Sequence, residues 1–332
     1  MNSLPKLALT MGDPLGIGPE IILKALSLDE IWRICQPIVY GSVSVFRFYM
    51  DLLGLDTSIN IVDKNSDFLT HVVNIVPTAQ FKIDKENIGR VNKEAGDAAY
   101  KSFIRAIDDA LENKIEAIVT APLNKEAINL AGHNFSGHTE ILEKITGEKA
   151  VMMFNCPDLK VSLVTVHVSL SNVPSLITTQ KVLHTIVVTY NSLKKDFGIG
   201  NPSIGVCGLN PHASEDGLFG TEERLFIKLA IKKAQKQGID VEGPFPADTI
   251  FAPANRMKYS AIVAMYHDQG LIPVKTLYFD KAVNVTLNLP FVRTSPDHGT
   301  AFDIAGKGIA SPISFIEAVK LASGIVQCKR NT

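Results

Sequence analysis

Three histidines stand just after apolar segments, in positions suited to metal chemistry. His167, His212 and His267 each follow a run of β-branched or aliphatic residues. A neutral imidazole is a common ligand of divalent metals, and three protein ligands leave one coordination position open for catalysis. The alternative is three unrelated polar loop histidines, since no local metal motif such as HExxH is present. Asp248 and Asp268 are candidates to support or complete a metal site.

A second group of residues suits an anion. Residues 136–140 (SGHTE) precede an apolar helical stretch. Glycine lets a backbone approach a ligand closely, a Ser or Thr caps a helix, and a helix N-terminus favours negative charge. His138 beside Thr139 is suited to binding a carboxylate or a hydroxyl group. The alternative is a plain capped helix start.

Three further polar residues follow His267 within one short segment, each among apolar neighbours. Lys275 and Arg293 suit a phosphate, and Asn284 suits a hydroxyl or an amine. The alternative for such residues is ordinary surface charge. Their apolar neighbours, such as those in 283–286 (VNVT), favour a binding role instead.

Two segments rich in small residues have a composition that is typical of ligand-binding turns. Residues 11–20 (MGDPLGIGPE) contain three glycines and two prolines, but neither the GxGxxG pattern of a dinucleotide fold nor the lysine of a phosphate-binding loop. Residues 297–311 combine small residues with a histidine and two aspartates, which is not a usual helix or strand composition. We expect this second segment to be a long ordered loop that packs around a ligand.

The elements that must position these residues alternate along the chain. Short apolar runs predict strands at 7–11, 38–40, 117–120, 161–168, 203–208 and 261–266. Amphipathic spacing predicts helices at 19–26, 93–113, 178–196 and 221–237, with another beginning near Asn124. This alternation indicates an α/β sheet with helices on both faces, and in such sheets ligands bind at the carboxyl ends of the strands.

The composition excludes several classes of protein. The chain has 332 residues with 33 Lys and Arg against 34 Asp and Glu, a net charge of −1 that argues against a nucleic-acid binder. The four cysteines are far apart, which fits a reducing cytoplasm rather than a disulfide framework or a thiolate metal site. No apolar run approaches the roughly 20 residues of a membrane span, and the N-terminus lacks signal-peptide character. We expect a cytoplasmic globular enzyme that binds neither nucleic acid nor membrane.

Seven motifs together resemble the 4-hydroxythreonine-4-phosphate dehydrogenase family of pyridoxal phosphate biosynthesis. They are MGDPLGIGPE, VTAPLNK, SGHTE, GLNPHASEDGLFGTEE, GPFPADTIF, YHDQGLIPVK and TSPDHGTAFDIAGKG. They span residues 11–308 in order, nearly the whole chain. The first and last also resemble the wider isocitrate and isopropylmalate dehydrogenase fold, which binds its nicotinamide cofactor without a GxGxxG motif. One departure is Ser214, where glycine is commoner in the family; another is the segment around His167, which is less polar than usual.

The resemblance implies a role for each matching residue. The implied metal ligands are His167, His212 and His267, the last acting from the second subunit of a homodimer, so that the active site lies at the subunit interface. The implied substrate contacts are His138, Thr139, Lys275, Asn284 and Arg293. The loop that would hold the adenosine part of the cofactor supplies His298, Gly299, Thr300, Ala301 and Asp303. Lys275 and Asp248 are the candidates for the general base.

The resemblance also implies the architecture. Two α/β/α domains with a cleft between them are expected, one from 1–135 plus 295–332 on the cofactor side and one from 136–294 with the metal, the substrate contacts and the dimer interface.

The implied activity is oxidation of 4-phosphooxy-L-threonine, with NAD or NADP and one divalent zinc, cobalt or magnesium ion per site. The alternatives are a paralogous dehydrogenase of 4-phospho-D-threonate or 4-phospho-D-erythronate, and a non-catalytic binding protein for a phosphorylated metabolite.

Overall fold

The computed structural model describes residues 3–63 and 67–331. Its contacts divide the chain into two compact units, the first made of Met1–Glu148 and Leu289–Gln327 and the second of Lys149–Asn288 and Cys328–Thr332. The sequence put the first boundary at 135/136. The difference arises from the helix that begins at His138, because Ile141 and Leu142 pack into the core of the first unit.

The strands and helices of the described residues are numbered here in chain order. The strands are β1 (Lys6–Thr10), β2 (Gln36–Gly41), β3 (Ile59–Ile61), β4 (Val73–Pro77), β5 (Ala117–Thr120), β6 (Val151–Asn155), β7 (Lys160–Leu163), β8 (Ser203–Cys207), β9 (Asp240–Phe245), β10 (Ala261–Ala264), β11 (Val283–Leu287) and β12 (Val292–Pro296). The α-helices are α1 (Gly18–Leu26), α2 (Asp29–Ile34), α3 (Val43–Leu53), α4 (Lys93–Leu111), α5 (Lys125–Leu130), α6 (His138–Thr146), α7 (Val173–Leu176), α8 (Thr179–Lys195), α9 (Lys228–Lys236), α10 (Ala247–Ile250), α11 (Pro253–Arg256), α12 (His267–Tyr278) and α13 (Ile313–Asn331).

The first unit contains a fully parallel sheet with the strand order β3-β4-β2-β1-β5-β12. Leu7, Ala8 and Leu9 of β1 are completely buried, as expected for a parallel strand covered on both faces. The first strand lies between β2 and β5, with Thr10 beside Thr120 at the carboxyl edge. Residues that follow β1 and β5 are therefore brought to the same edge of this sheet.

The second unit contains a mixed sheet with the order β11-β6-β7-β10-β8-β9. Strand β6 is antiparallel to β7 and β11, whereas β7, β10, β8 and β9 run parallel to one another. Its core is built from aliphatic side chains of β8, β10, α8 and α9, among them Ile204, Val263, Ile186 and Ile231. The parallel strands β7, β8 and β10 deliver the segments that carry the three predicted metal ligands.

The predicted α/β class is confirmed, and most predicted elements exist, but three details differ. The strand predicted at 161–168 ends at Leu163, so His167 lies four residues beyond it. The helix predicted at 221–237 begins as a π-helical segment, Glu223–Ile227, before α9. The helix His267–Tyr278, which was not among the predicted elements, begins directly at His267. None of the described helices is long and apolar enough to cross a membrane.

Candidate active site

His267 occupies the first position of α12, immediately after β10. Its Nδ1 lies 2.6 Å from Oδ1 of Asp268. A carboxylate acceptor favours the proton on Nδ1, which leaves the lone pair of Nε2 available. This carboxylate–histidine pairing is the arrangement that orients metal-binding imidazoles and increases their basicity.

His167 approaches His267 within the same unit. The centroids of the two rings are 5.7 Å apart. Metal–nitrogen bonds of about 2.0 Å place two imidazoles bound to one ion at a similar separation. The two segments are joined by Thr165, whose backbone N–H and hydroxyl both donate to the Met265 carbonyl, at 3.1 and 2.8 Å. His167 itself has a φ of 42°, an unusual backbone conformation for a non-glycine residue.

His212 lies in a turn of unusual geometry. From His212 to Asp216, five consecutive residues have positive φ values between 43° and 71°. Such a left-handed run is unfavourable for residues with a Cβ, and backbone strain of this kind is concentrated at functional sites. Ser214 belongs to the run with a φ of 71°, a conformation that glycine adopts more readily than a residue with a Cβ.

A cavity of about 420 Å³ adjoins the two neighbouring histidines. Its lining consists of Thr165, Val166, His167, Val168, Leu170, Val173, Tyr266, His267 and Asp268. The volume suits a small metabolite, and the wall combines apolar side chains with a few polar groups. Within the described part of the chain, no three His, Cys, Asp or Glu side chains are grouped closely enough to hold a metal ion. His167 and His267 therefore form a pair, and a complete metal site needs a further ligand.

The other predicted residues of the second unit are placed separately. Asn284 lies on β11, and its buried Oδ1 has no hydrogen-bond partner within the described residues, which is a mark of a position that a ligand fills. Lys275 is in the last turn of α12, with Nζ 5.9 Å from the centre of the Phe279 ring. Asp248 is an exposed residue in the first turn of α10.

The residues of the first unit that were predicted to bind an anion lie at the start of α6. Gly137 is the N-cap with a φ of 155°, and no side chain caps the helix, so the expected Ser or Thr cap is absent. Thr139 is the second residue of α6 and is partly exposed. His138 packs edge-on against Phe103, with 4.7 Å between ring centroids. Burial lowers the pKa of His138 well below its ordinary value of 6.5, and the nearby charges of Arg293 and Lys125 lower it further. This histidine is therefore neutral at physiological pH.

Arg293 is an almost completely buried cation next to His138. One of its terminal nitrogens donates to Oγ1 of Thr120 at 2.7 Å. Burial lowers the pKa of the guanidinium to about 9, which leaves it protonated at neutral pH. A buried guanidinium of this kind is well suited to hold a phosphate or a carboxylate.

Lys125 was missed by the sequence analysis. It begins α5, and its Cε lies 3.6 Å from the position that a Cβ on Gly137 would occupy. Its charge is also one cause of the lowered pKa of His138. The signal that pointed to it was the segment VTAPLNK, a polar turn directly after β5.

The prediction of a loop over residues 297–311 is confirmed, since this segment is irregular structure between β12 and α13. His298 Nδ1 lies 3.0 Å from the Gly299 carbonyl, and its buried Nε2 has no hydrogen-bond partner among the described residues. Gly299 and Asp303 are exposed, while Thr300 and Ala301 are partly buried. An unsatisfied ring nitrogen in this loop is an acceptor that fits a hydroxyl or amino group of a nucleoside.

The loop 297–311 is bound to the turn after β1 and to α1. The Thr300 carbonyl accepts from the Ile17 N–H at 3.1 Å, and a Cβ on Gly16 would lie only 2.9 Å from that oxygen. Glu20 Oε1 accepts from the Ala310 N–H at 2.7 Å, and Lys24 Nζ donates to the carbonyl of Ala310 at 2.7 Å. The glycine-rich turn therefore supports the loop 297–311, whereas the sequence motif alone did not indicate its role.

Side chains that can bind a metal or a small molecule follow the carboxyl ends of β1, β5, β7, β8, β10 and β12. In α/β enzymes, small molecules bind at this end of the strands. The fold and these groups define an α/β metabolic enzyme. A family model described as "Pyridoxal phosphate biosynthetic protein PdxA" matches residues 33–322. The chain belongs to this family.

Individual relatives are similar over nearly the whole chain. A protein of Oceanobacillus iheyensis named "Putative D-threonate 4-phosphate dehydrogenase" is 44% identical over 99% of this chain and 100% of its own length. A 4-hydroxythreonine-4-phosphate dehydrogenase of Desulforapulum autotrophicum is 42% identical over 97% of this chain and 96% of that protein. A crystal structure of the enzyme of that name from Klebsiella pneumoniae has a TM-score of 0.85 at 39% identity, covering 98% of each chain. The fold is compatible with the predicted isocitrate dehydrogenase-like class, and the relatives are named as dehydrogenases.

Proposed function

We propose that this chain is an NAD(P)-dependent and divalent-metal-dependent dehydrogenase of 4-phosphooxy-L-threonine. The product would be 2-amino-3-oxo-4-phosphooxybutanoate, a β-keto acid that loses its carboxylate readily to give 3-amino-2-oxopropyl phosphate for pyridoxal 5'-phosphate synthesis. The observation that carries the proposal is the cavity lined by His167 and His267, at which Asp268 orients the imidazole of His267. The PdxA family match supports the substrate class.

The proposed metal ligands are His167, His212 and His267. When bound, the ion would polarise the substrate hydroxyl as a Lewis acid while the nicotinamide accepts the hydride. An all-imidazole donor set favours zinc or cobalt over magnesium, which prefers oxygen ligands. Asp268 would keep Nε2 of His267 unprotonated and directed at the ion.

Each of the proposed substrate contacts would bind a different part of the substrate or contribute a different type of bond. Arg293 would hold an anionic group of the substrate, with Thr120 fixing the direction of its guanidinium. His138 would contribute hydrogen bonds as a neutral imidazole, and Thr139 would add a hydroxyl at the start of α6. Asn284 offers a buried acceptor atom that suits the amine or a hydroxyl.

The proton of the substrate hydroxyl needs an acceptor. Lys275 remains our candidate for the base and also for a phosphate contact, because it is partly buried in the last turn of the helix that His267 begins. Asp248 is the weaker candidate, since it is exposed and a solvated carboxylate is a poor base for an alcohol.

The proposed cofactor contacts are His298, Gly299, Thr300, Ala301 and Asp303. The unsatisfied Nε2 of His298 supports this assignment, because a nucleoside hydroxyl or amine would complete its bonding. The positive φ of Ala301, 43°, shapes the loop at its centre.

The proposal includes a homodimer in which His267 of the partner subunit completes each metal site. Large exposed apolar side chains of the second unit support a protein–protein contact there. They are Leu170 (68% exposed), Leu218 (72%), Ile272 (66%) and Phe279 (72%). A cytoplasmic location is also part of the proposal, in keeping with four cysteines of which none forms a disulfide in the described residues.

The second candidate is oxidation of D-threonate 4-phosphate, which the 44% identical relative from Oceanobacillus iheyensis favours. Steady-state formation of NAD(P)H separates the two when 4-phosphooxy-L-threonine is compared with 4-phospho-D-threonate and 4-phospho-D-erythronate, each with and without chelator. We expect chelator-sensitive turnover with 4-phosphooxy-L-threonine at the highest kcat/KM. A higher kcat/KM for one of the sugar acids would replace the main candidate. Absence of cofactor reduction with every substrate would reject the dehydrogenase assignment and favour a metabolite-binding protein.

A further inference from the structure

The left-handed turn that carries His212 needs a support, because left-handed geometry is unfavourable for each of its five non-glycine residues. Hydrogen bonds within the turn supply part of this support. The Ala213 N–H donates to the Asn210 carbonyl at 3.1 Å, and the Phe219 N–H donates to the Ser214 carbonyl at 3.1 Å. The backbone N–H groups of Leu209 and Asn210, at the entrance to the turn, are bound from outside it.

Glu223 is that outside partner. Its side chain is completely buried. Oε1 accepts from the backbone N–H groups of Leu209 and Asn210, at 2.8 and 2.7 Å, and Oε2 accepts from Asn210 Nδ2 at 3.0 Å. One carboxylate therefore fixes both backbone amides that lead into Pro211 and His212.

The opposite side of the entrance is fixed as well. Gln269 Nε2 donates to the Gly208 carbonyl at 2.8 Å, and Gln269 Oε1 accepts from the Met265 N–H at 2.7 Å. A Cβ on Gly208 would lie 2.8 Å from Cα of Ala213, so the entrance and the turn are in close contact. With the path of the chain held on both sides, the carboxylate of Glu223 determines the direction in which the turn leaves β8.

We propose that Glu223 is a positioning residue for His212, whose buried carboxylate holds the left-handed turn in the orientation that binds the metal. The proposal depends on the metal site of the proposed function. Neither the sequence motifs nor the implied family roles assign Glu223 a function, although it closes the motif that contains His212.

The chain offers a matched control. Glu222 is the preceding residue, and its Oε2 accepts from the same Asn210 amide at 2.9 Å, but it makes no bond to the two backbone N–H groups. Glu222→Gln and Glu223→Gln remove the same charge one residue apart. In Glu223→Gln the new amide also faces the amide of Asn210, and two donors cannot bond to each other.

The experiment measures binding of Co²⁺ to the metal-stripped protein by titration calorimetry and by the visible absorbance of cobalt. We expect Glu223→Gln to weaken Co²⁺ affinity about 10- to 100-fold, as loss of an orienting partner does at other sites. Stoichiometry should stay unchanged, and kcat should recover at saturating metal. Glu222→Gln should change the affinity less than about threefold. Glu223→Asp keeps the charge on a shorter side chain and serves as a second variant if Glu223→Gln fails to fold; we expect it to weaken binding to an intermediate degree.

His212→Ala distinguishes the possible failures. If it leaves Co²⁺ affinity unchanged, the metal assignment of the proposed function is wrong. If it abolishes binding while Glu223→Gln, or Glu223→Asp in its place, binds Co²⁺ as tightly as the unmodified protein, the role of Glu223 is wrong and the metal site stands. Equal weakening by Glu222→Gln and Glu223→Gln would also overturn the inference, because a general charge effect would then explain both.

Discussion

Asp13 lies in a buried position where the ionised form of its carboxyl group is energetically unfavourable. It is completely buried after β1, Oδ1 accepts from the Leu15 N–H at 2.9 Å, and Oδ2 has no hydrogen-bond partner in the described residues. Burial raises its pKa from 3.8 to about 6, and the Leu15 bond offsets only part of this. The folded chain therefore holds the proton more tightly than the unfolded chain, so this group lowers stability as pH rises from about 4 to about 6.

Replacing Asp13 with Asn should therefore stabilise the fold at pH 8. The amide keeps an acceptor for Leu15 and removes the buried charge, which is worth on the order of 1–3 kcal/mol for a shift of this size. The gain should shrink to about half by pH 5, where the acid is mostly protonated in the folded state. Denaturant unfolding at both pH values checks this. A variant less stable than the unmodified chain at pH 8 would show that Oδ2 has a partner that the charge stabilises.

His138 should impose the opposite pH dependence. Its pKa is lowered in the folded state by burial and by neighbouring positive charge, whereas in the unfolded chain it is near 6.5. The unfolded chain then binds more protons below pH 6.5, so stability should fall as pH decreases through this region. We expect His138→Asn to flatten the fall in melting temperature between about pH 7.5 and 5.5. His71→Asn, at an exposed histidine, is the control; equal flattening there would contradict the assignment.

At the scale of elements, the meeting of α5 and α6 places Lys125 over Gly137. No ion pair joins Lys125 to a carboxylate in the described residues, so its charge is available to an anion at the start of α6. We expect Lys125→Met to raise the KM for a phosphorylated substrate roughly 3- to 10-fold with a smaller change in kcat, and more so at low salt. It should also raise the pKa of His138, which NMR titration measures.

Two comparisons make this prediction specific. Lys125→Arg should keep most of the affinity, because charge rather than shape is at issue. Lys144→Met removes an exposed lysine at the other end of α6 and should leave the KM unchanged. A KM that does not differ between Lys125→Met and Lys144→Met would remove Lys125 from the site.

The strands, helices and turns show which local structures a sequence pattern can predict and which it cannot. The strand 117–120 and the helix from Pro19 were predictable because apolar periodicity is a local signal and both are regular elements. The strand predicted to reach Val168 stops at Leu163, because residues 164–165 form a bend that is bonded to the end of β10 and to Met265. The left-handed turn at His212 was not predictable, because its conformation depends on Glu223 and Gln269, which reach it from other elements.

At the scale of the whole molecule, the sequence could identify which residues carry chemistry but not their grouping. The histidines were recognisable by position, yet only the structure shows that His167 and His267 are neighbours and that Asp268 orients one of them. The sequence did not identify Lys125 as a site residue, because an exposed lysine is usually ordinary surface charge. Its role follows from its proximity to Gly137, which only the structure shows. Long-range pairing of this kind is set by the packing of elements distant in the chain, which local periodicity does not encode.

The question of which subunit supplies His267 has a direct test in mixed dimers. If each metal takes His167 and His212 from one chain and His267 of the partner subunit, a dimer of one His212→Ala chain and one His267→Ala chain has one intact site and one doubly damaged site. Denaturing and refolding the two inactive variants together in equal amounts makes half of the dimers mixed, so we expect about a quarter of the unmodified activity. The 5.7 Å separation of the two rings within one chain allows the opposite arrangement, in which all ligands come from the same chain. In that case no mixed dimer has an intact site, and the mixture should stay as inactive as either variant alone. Refolded unmodified protein, assayed in parallel, sets the scale for the recovery.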